Sequence, residues 1–168
     1  ATAAMKERLV LGSQRALQFG GKPITDKNAR LYNCTVSYCD RPRFFQEALW
    51  LLLCGCGVGF SVQAHHVARL PNVAQPGKNR VTYVIEDSIE GWSDALGVLL
   101  SAYFVSDQPF PEFFGKQVTF DFSKIRPMGA ALSSGVGKAP GPGPLKRSLE
   151  QIRLLIDLRL TSLGQRCA

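Results

Sequence analysis

The chain has 168 residues, 45% of them hydrophobic and 20% charged, with a net charge of +7. That is enough chain for one domain with a real core, in the composition of an ordinary globular protein. The basic residues are scattered, with no run of four or more, which argues against direct binding to nucleic acid and favours attraction of anionic small molecules.

The longest apolar stretch, Ala48 to Cys56, is too short to cross a bilayer, so no membrane association is expected. The five cysteines are Cys34, Cys39, Cys54, Cys56 and Cys167. An odd count without a signal peptide points to a reducing, cytoplasmic compartment, where thiols are free, catalytic or metal-bound. Both ends stop close to helical sequence, and the expectation is that the chain is a piece of something larger.

In chain order, Met5 to Phe19 predicts a helix broken near Gly12, and Lys22 to Asn28 a polar loop. Arg30 to Tyr38 is rich in β-formers and predicts a strand. Asp40 stands where an N-cap belongs, before a helix from Pro42 to Cys54 that Gly55 ends. Val58 to Val62 predicts a short strand, His65 to Asn79 a loop and Arg80 to Ile85 a second extended segment. Ser88 can cap a helix from Ile89 to Phe104, and Val118 to Phe122 alternates as a strand. A Gly/Pro-rich loop is expected over 127–144, before an amphipathic helix from Leu145 to Leu160. Strands alternating with helices argue for an α/β fold. A loop that long in a compact domain is usually functional.

Two segments carry the chemistry. Leu31-Tyr32-Asn33-Cys34 places a thiol on a strand, and Cys54-Gly55-Cys56-Gly57-Val58-Gly59-Phe60-Ser61 is a glycine-rich turn. Three alternating residues without a Cβ let a ligand lie against the main chain. The plainer reading is a tight helix-to-strand turn. The pattern is not a dinucleotide fingerprint, which follows a strand and opens a helix.

Cys34, Cys39, Cys54 and Cys56 also raise the alternative of a zinc or iron–sulfur module, but their spacing lacks the usual C-x2-C knuckle. Cys39, Cys54 and Cys167 read as small buried hydrophobes. His65-His66 reads as a solvated turn, and Glu86, Asp87 and Glu90 as the acidic start of a helix. Lys138, Lys146 and Arg147 flank the long loop as solvated charges or phosphate contacts.

These segments, in order, resemble the catalytic subunit of ribonucleotide reductase, in its adenosylcobalamin-dependent and phage-like branch. The resemblance runs through Ser13 to Leu17, Asn28 to Cys34, Cys54 to Val62, Arg69 to Pro71, Glu86 to Trp92, Phe120 to Pro127 and Gly137 to Pro142. It implies a ten-stranded α/β barrel, of which residues 1–168 form a single partial domain, the first half-barrel. It implies adenosylcobalamin as cofactor and a ribonucleoside di- or triphosphate as substrate. A thiyl radical abstracts the 3′-hydrogen, and two further cysteines supply electrons as they become a disulfide. Cys34 matches the first of that reducing pair. Ser13 matches a position near the ribose and phosphate. Asn33, next to Cys34, and Gly57, Val58 and Gly59, whose backbone lies along the substrate, complete the expected binding residues. Arg69 falls near the loop that helps bind a deoxynucleotide effector in relatives.

The chain lacks the family's Asn-x-Cys-x-Glu radical motif. On this reading other chain segments complete the barrel. Cys56 stands where relatives often carry a small polar residue, and a thiol there is either incidental or competes with Cys34 for disulfide formation. A non-catalytic nucleotide-binding regulatory module is the remaining alternative.

Overall fold

A computed structural model describes residues 2–132 and 137–166. Cys167 lies outside the described residues. The order is α1 (Thr2–Lys6), α2 (Gln14–Phe19), α3 (Lys22–Asp26), a 3-10 turn, β1 (Cys34–Tyr38), α4 (Arg43–Leu53), β2 (Gly57–Ser61), α5 (Ala64–Val67), β3 (Arg80–Val84), α6 (Ile89–Ser101), a second 3-10 turn, β4 (Gln117–Asp121) and α7 (Gly143–Arg166).

The strands form two parallel pairs, β1 with β2 and β3 with β4. A parallel pair cannot be joined by a hairpin, so each needs a crossover, and here α4 and α6 supply it. The two helices pack on each other. A Gln46 side-chain amide on α4 donates to the Asp94 carboxylate on α6 across that contact. The α/β class is as expected. The described residues show two separate two-stranded sheets, and a closed barrel would need further strands beside their free edges.

Helix α6 is the centre of the core. Ala95, Val98, Leu99 and Ala102 are buried, with Ile85 before the helix, Val118 on β4 and Leu145 and Leu149 on α7. A helix apolar on nearly all sides is a buried helix. Ser88 caps it as expected, its hydroxyl accepting from the Gly91 N–H at 2.9 Å. On β3–β4, Val81, Tyr83, Val118 and Phe120 face this core.

Several boundaries differ from the sequence reading. Residues 22–28 are not a loop. Pro23 lies in the first turn of α3, where its fixed φ suits a helix and its missing N–H costs nothing. The strand begins at Cys34, not Arg30, because Asn28–Leu31 forms a 3-10 turn, with Tyr32 N–H bonded to Ala29 O at 3.1 Å. Asp40 is not the N-cap of α4. Pro42 holds that position, and Asp40 accepts instead from Arg41 at 2.8 Å. The 65–79 loop holds the short helix α5. The long loop ends at residue 142, since Pro144 also fits a first turn. Its near half doubles back through an Ala131–Lys138 bridge.

Gly55 ends α4 as anticipated. With φ of +90° it takes the left-handed position, its N–H bonding Leu52 O at 2.9 Å while Cys56 N–H bonds Leu51 O at 3.0 Å.

The α4–α6 contact carries a pH-dependent term. Burial raises the Asp94 carboxyl above the ordinary value of 3.8, against the lowering by the Gln46 amide; Glu90 also raises it and Arg43 lowers it. The Gln46 Oε1 is buried without a partner among the described residues. A group protonated more readily when folded contributes stability that is full below its unfolded pKa and is lost as pH rises through the folded one. An amide at position 94 can accept from Gln46 Nε2 and donate to its Oε1. Asp94→Asn should therefore stabilise the chain at neutral pH by roughly 1 kcal/mol and flatten the fall in melting temperature between pH 4 and pH 7. A variant with the wild-type slope and midpoint would contradict this.

Candidate active site

Helix α4 covers one face of the β1–β2 pair, and the other face is open at its Cys34 end, with His66 packed at the Tyr38 end. Residues opposite one another in a parallel pair share a face, so Cys34, Val36 and Tyr38 stand beside Gly57, Gly59 and Ser61. Cys34 is exposed, Val36 is 79% exposed and Tyr38 50%. The outer face of β3–β4 instead carries Arg80, Thr82, Gln117, Thr119 and Asp121, together with Val84. That face suits water, and the glycine-and-thiol face does not.

The glycines here are not demanded by packing. A Cβ on Gly57 would come 3.7 Å from Asn33 O and 3.9 Å from the Cys34 Cβ, and one on Gly59 3.8 Å from Thr35 O. These are ordinary contacts, so the missing side chains serve only to clear space above the sheet. Val58 pairs with Thr35 on the covered side, so only its backbone is available to the open face.

Asn33 sits at the mouth of this face. Its carbonyl accepts from Gly57 N–H at 2.8 Å, and its side-chain oxygen accepts from Arg15 Nε at 2.6 Å. Arg15 also donates to Gly55 O at 2.5 Å. Ser13 caps α2, its hydroxyl accepting from Ala16 N–H at 3.1 Å. The structure thus brings the Ser13 helix to the start of β1, but through Arg15, a residue the sequence reading did not single out. Its neighbour in an apolar segment with a glycine turn far downstream left no local signal.

The other cysteines are buried. Cys56 donates its S–H to Tyr32 O at 3.1 Å and lies near Ala29 O at 3.5 Å. It is turned into the protein, which removes it from competition with Cys34 on the open face. Burial raises the Cys39 thiol, with Asp40 adding to it, and raises the Cys54 thiol against the opposing charge of Arg30. Among the described residues no three His, Cys, Asp or Glu gather as a metal site.

Arg69 does not join Cys34. It lies at the carboxyl end of the pair, 3.7 Å from Asp40 Oδ2, about 13 Å of strand away. His66 is not a solvated turn residue: its ring lies 4.5 Å from Tyr38, and its Nδ1 is 3.0 Å from Ser61 Oγ. Partial desolvation, then His65 and Arg69, hold it below the ordinary imidazole value.

A second feature is a cleft of about 620 Å³ between the 3-10 turn, the start of α6 and the long loop, lined by Phe19, Lys27, Arg30, Trp92, Arg126 and Gly141 among others. Two of its cations are already paired, Lys27 with Glu90 and Arg126 with Asp87 at 2.6 Å. Burial pushes Glu90 up, but donation from Lys27 and Trp50 holds it below the usual carboxylate range. Arg30 lies over Phe19 at 5.7 Å, and its buried Nε has no partner among the described residues.

The chain is similar to known proteins along most of its length. Residues 61–156 match the family described as B12-dependent ribonucleotide reductase, insertion domain. An adenosylcobalamin-dependent ribonucleoside-triphosphate reductase of Euglena gracilis is 34% identical over 84% of this chain and 19% of its own length. A putative enzyme of the same description from Mycobacterium phage D29 is 28% identical over 91% of this chain and 25% of its own. The crystal structure of a B12-dependent (class II) ribonucleotide reductase shares the fold, with a TM-score of 0.62 at 24% identity over 73% of this chain and 24% of that one. The chain therefore spans about a fifth to a quarter of these relatives. With the ordered segments, the bare thiol face and these matches in agreement, the chain belongs to the B12-dependent ribonucleotide reductase family.

Proposed function

We propose that the chain is part of a ribonucleotide reductase acting on ribonucleoside triphosphates, the substrates in the names of its Euglena and phage relatives. The observation that carries this is the bare face on which an exposed Cys34 stands opposite Gly57. Gly57 and Gly59 form the bed, with the Val58 backbone between them. Asn33 and the Ser13 helix close one end. Cys34 and a second thiol from outside this chain each give up one electron and one proton as they join in a disulfide. The ribose loses its 2′-hydroxyl as water and gains hydrogen at C2′. Residues 1–168 serve as one partial domain, the beginning of the barrel wall, and other segments cover the bare face and free strand edges.

Adenosylcobalamin is the family's cofactor. The residues present do not fit it by themselves: the 620 Å³ cleft is of mononucleotide size, and the Cys34 face has no enclosing wall. Its site belongs to the rest of the reductase.

A deoxynucleotide effector fits the cleft better than the Arg69 end. Arg30 lines the cleft with a guanidinium whose Nε has no partner among the described residues, and Trp92 lines it with an aromatic ring. Arg69 stays the alternative contact.

Cys34→Ser in the full-length reductase should abolish dithiol-dependent reduction while leaving triphosphate binding within a few-fold; sustained turnover would refute the role given to Cys34. Gly57→Val should weaken substrate binding about tenfold or more by calorimetry, with little change in melting temperature, because the sheet itself has room for the Cβ. Unchanged affinity would remove the glycine bed. Arg30→Gln should lower deoxynucleoside triphosphate affinity roughly tenfold, the scale of one charged hydrogen bond, without destabilising the fold. Equal affinity would shift the effector to the Arg69 end.

A further inference from the structure

We propose that Arg15 is a positioning residue at the entrances of β1 and β2, acting through Asn33 to decide which group that side chain offers to the nucleotide. The inference rests on the reading that the open face binds the nucleotide.

The guanidinium is a rigid planar fork, and here two of its nitrogens are used at once. Nε donates to Asn33 Oδ1 at 2.6 Å and a terminal nitrogen donates to Gly55 O at 2.5 Å. Asn33 immediately precedes Cys34, and Gly55 opens the turn into Gly57. One side chain therefore ties together the entrances of the two strands that form the face. The ladder bond from Gly57 N–H to Asn33 O holds the same step from the backbone side.

The surroundings are shaped for this fork. Arg15 lies over the Phe19 ring at 5.6 Å, which fixes its plane. A Cβ at position 55 would come within 3.3 Å of the Arg15 guanidinium, so the glycine that ends α4 also admits it. Arg15 has no carboxylate partner among the described residues, so its charge stays uncompensated next to the face.

The consequence lies in the amide. With Oδ1 occupied by Arg15, the hydrogen-bonding group left to Asn33 is its NH2, which has no partner among the described residues. At the residue that precedes Cys34 the chain then offers an unpaired donor group, suited to a phosphate oxygen of the substrate. Without Arg15 the amide is free to turn and offer its oxygen, which cannot donate to a phosphate oxygen.

The test is equilibrium binding of a ribonucleoside triphosphate to the full-length reductase, without cofactor, by calorimetry. The set is wild type, Arg15→Lys, Arg15→Gln, Asn33→Ala and the double variant Arg15→Gln/Asn33→Ala. Arg15→Gln and Arg15→Lys should each weaken binding roughly tenfold, since an ammonium keeps the charge but cannot hold both acceptors. The double variant should bind no more weakly than Asn33→Ala alone. Wild-type affinity in Arg15→Lys would show that charge suffices and overturn the positioning role, as would additive losses in the double variant. If Asn33→Ala weakens binding and both Arg15 variants do not, the proposal fails and the binding face stands. If Asn33→Ala also binds normally, the proposal fails, and the binding face is decided by Gly57→Val.

Discussion

The packing of α4 against α6 decides which surfaces of the chain are left open. A crossover helix must lie on one face of the parallel pair it joins. Once the two helices are turned toward each other, both strand pairs are covered from the inside and bare on the outside. A part-buried hydrogen bond from the Gln46 amide to the Asp94 carboxylate crosses this contact. Leu99 and Val98 on α6 are among the most buried side chains and pack with Ile85, Val118 and Leu149.

The two outer faces then diverge through composition alone. On β3–β4 they are charged and hydroxylated, and water is an adequate partner. On β1–β2 they are a thiol, a valine, a tyrosine, a serine and two glycines, a less charged surface than that of β3–β4. The same geometry explains why one thiol differs from three others. Cys39, Cys54 and Cys56 lie inside, where burial keeps the first two protonated, while Cys34 faces outward from a strand.

Much of this was legible from residues in their local order. The presence of β1 to β4, the Ser88 cap and the Gly55 stop depend on interactions within a few residues and were read from them, with β1 begun four residues early at Arg30 instead of Cys34. The errors were also local in kind. Pro23 and Pro144 were taken as loop formers, yet a proline is neutral in the first turn of a helix. Leu31 and Tyr32 have strand-like side chains, but neither is drawn into the core, and the backbone closes a turn instead.

By itself the sequence determined the α/β order, the thiol next to an asparagine and the alternating glycines, which are properties of composition and spacing, and its ordered segments carried the resemblance to the family. Only the tertiary structure decided that Cys34 stands across from Gly57, that Cys56 is withdrawn, that Arg69 sits at the far end, and that Arg15 joins Asn33 to Gly55. Each of those depends on strand register and on side chains meeting from distant segments. A hydrogen bond between residues far apart in the chain leaves no periodicity for a sequence to reveal.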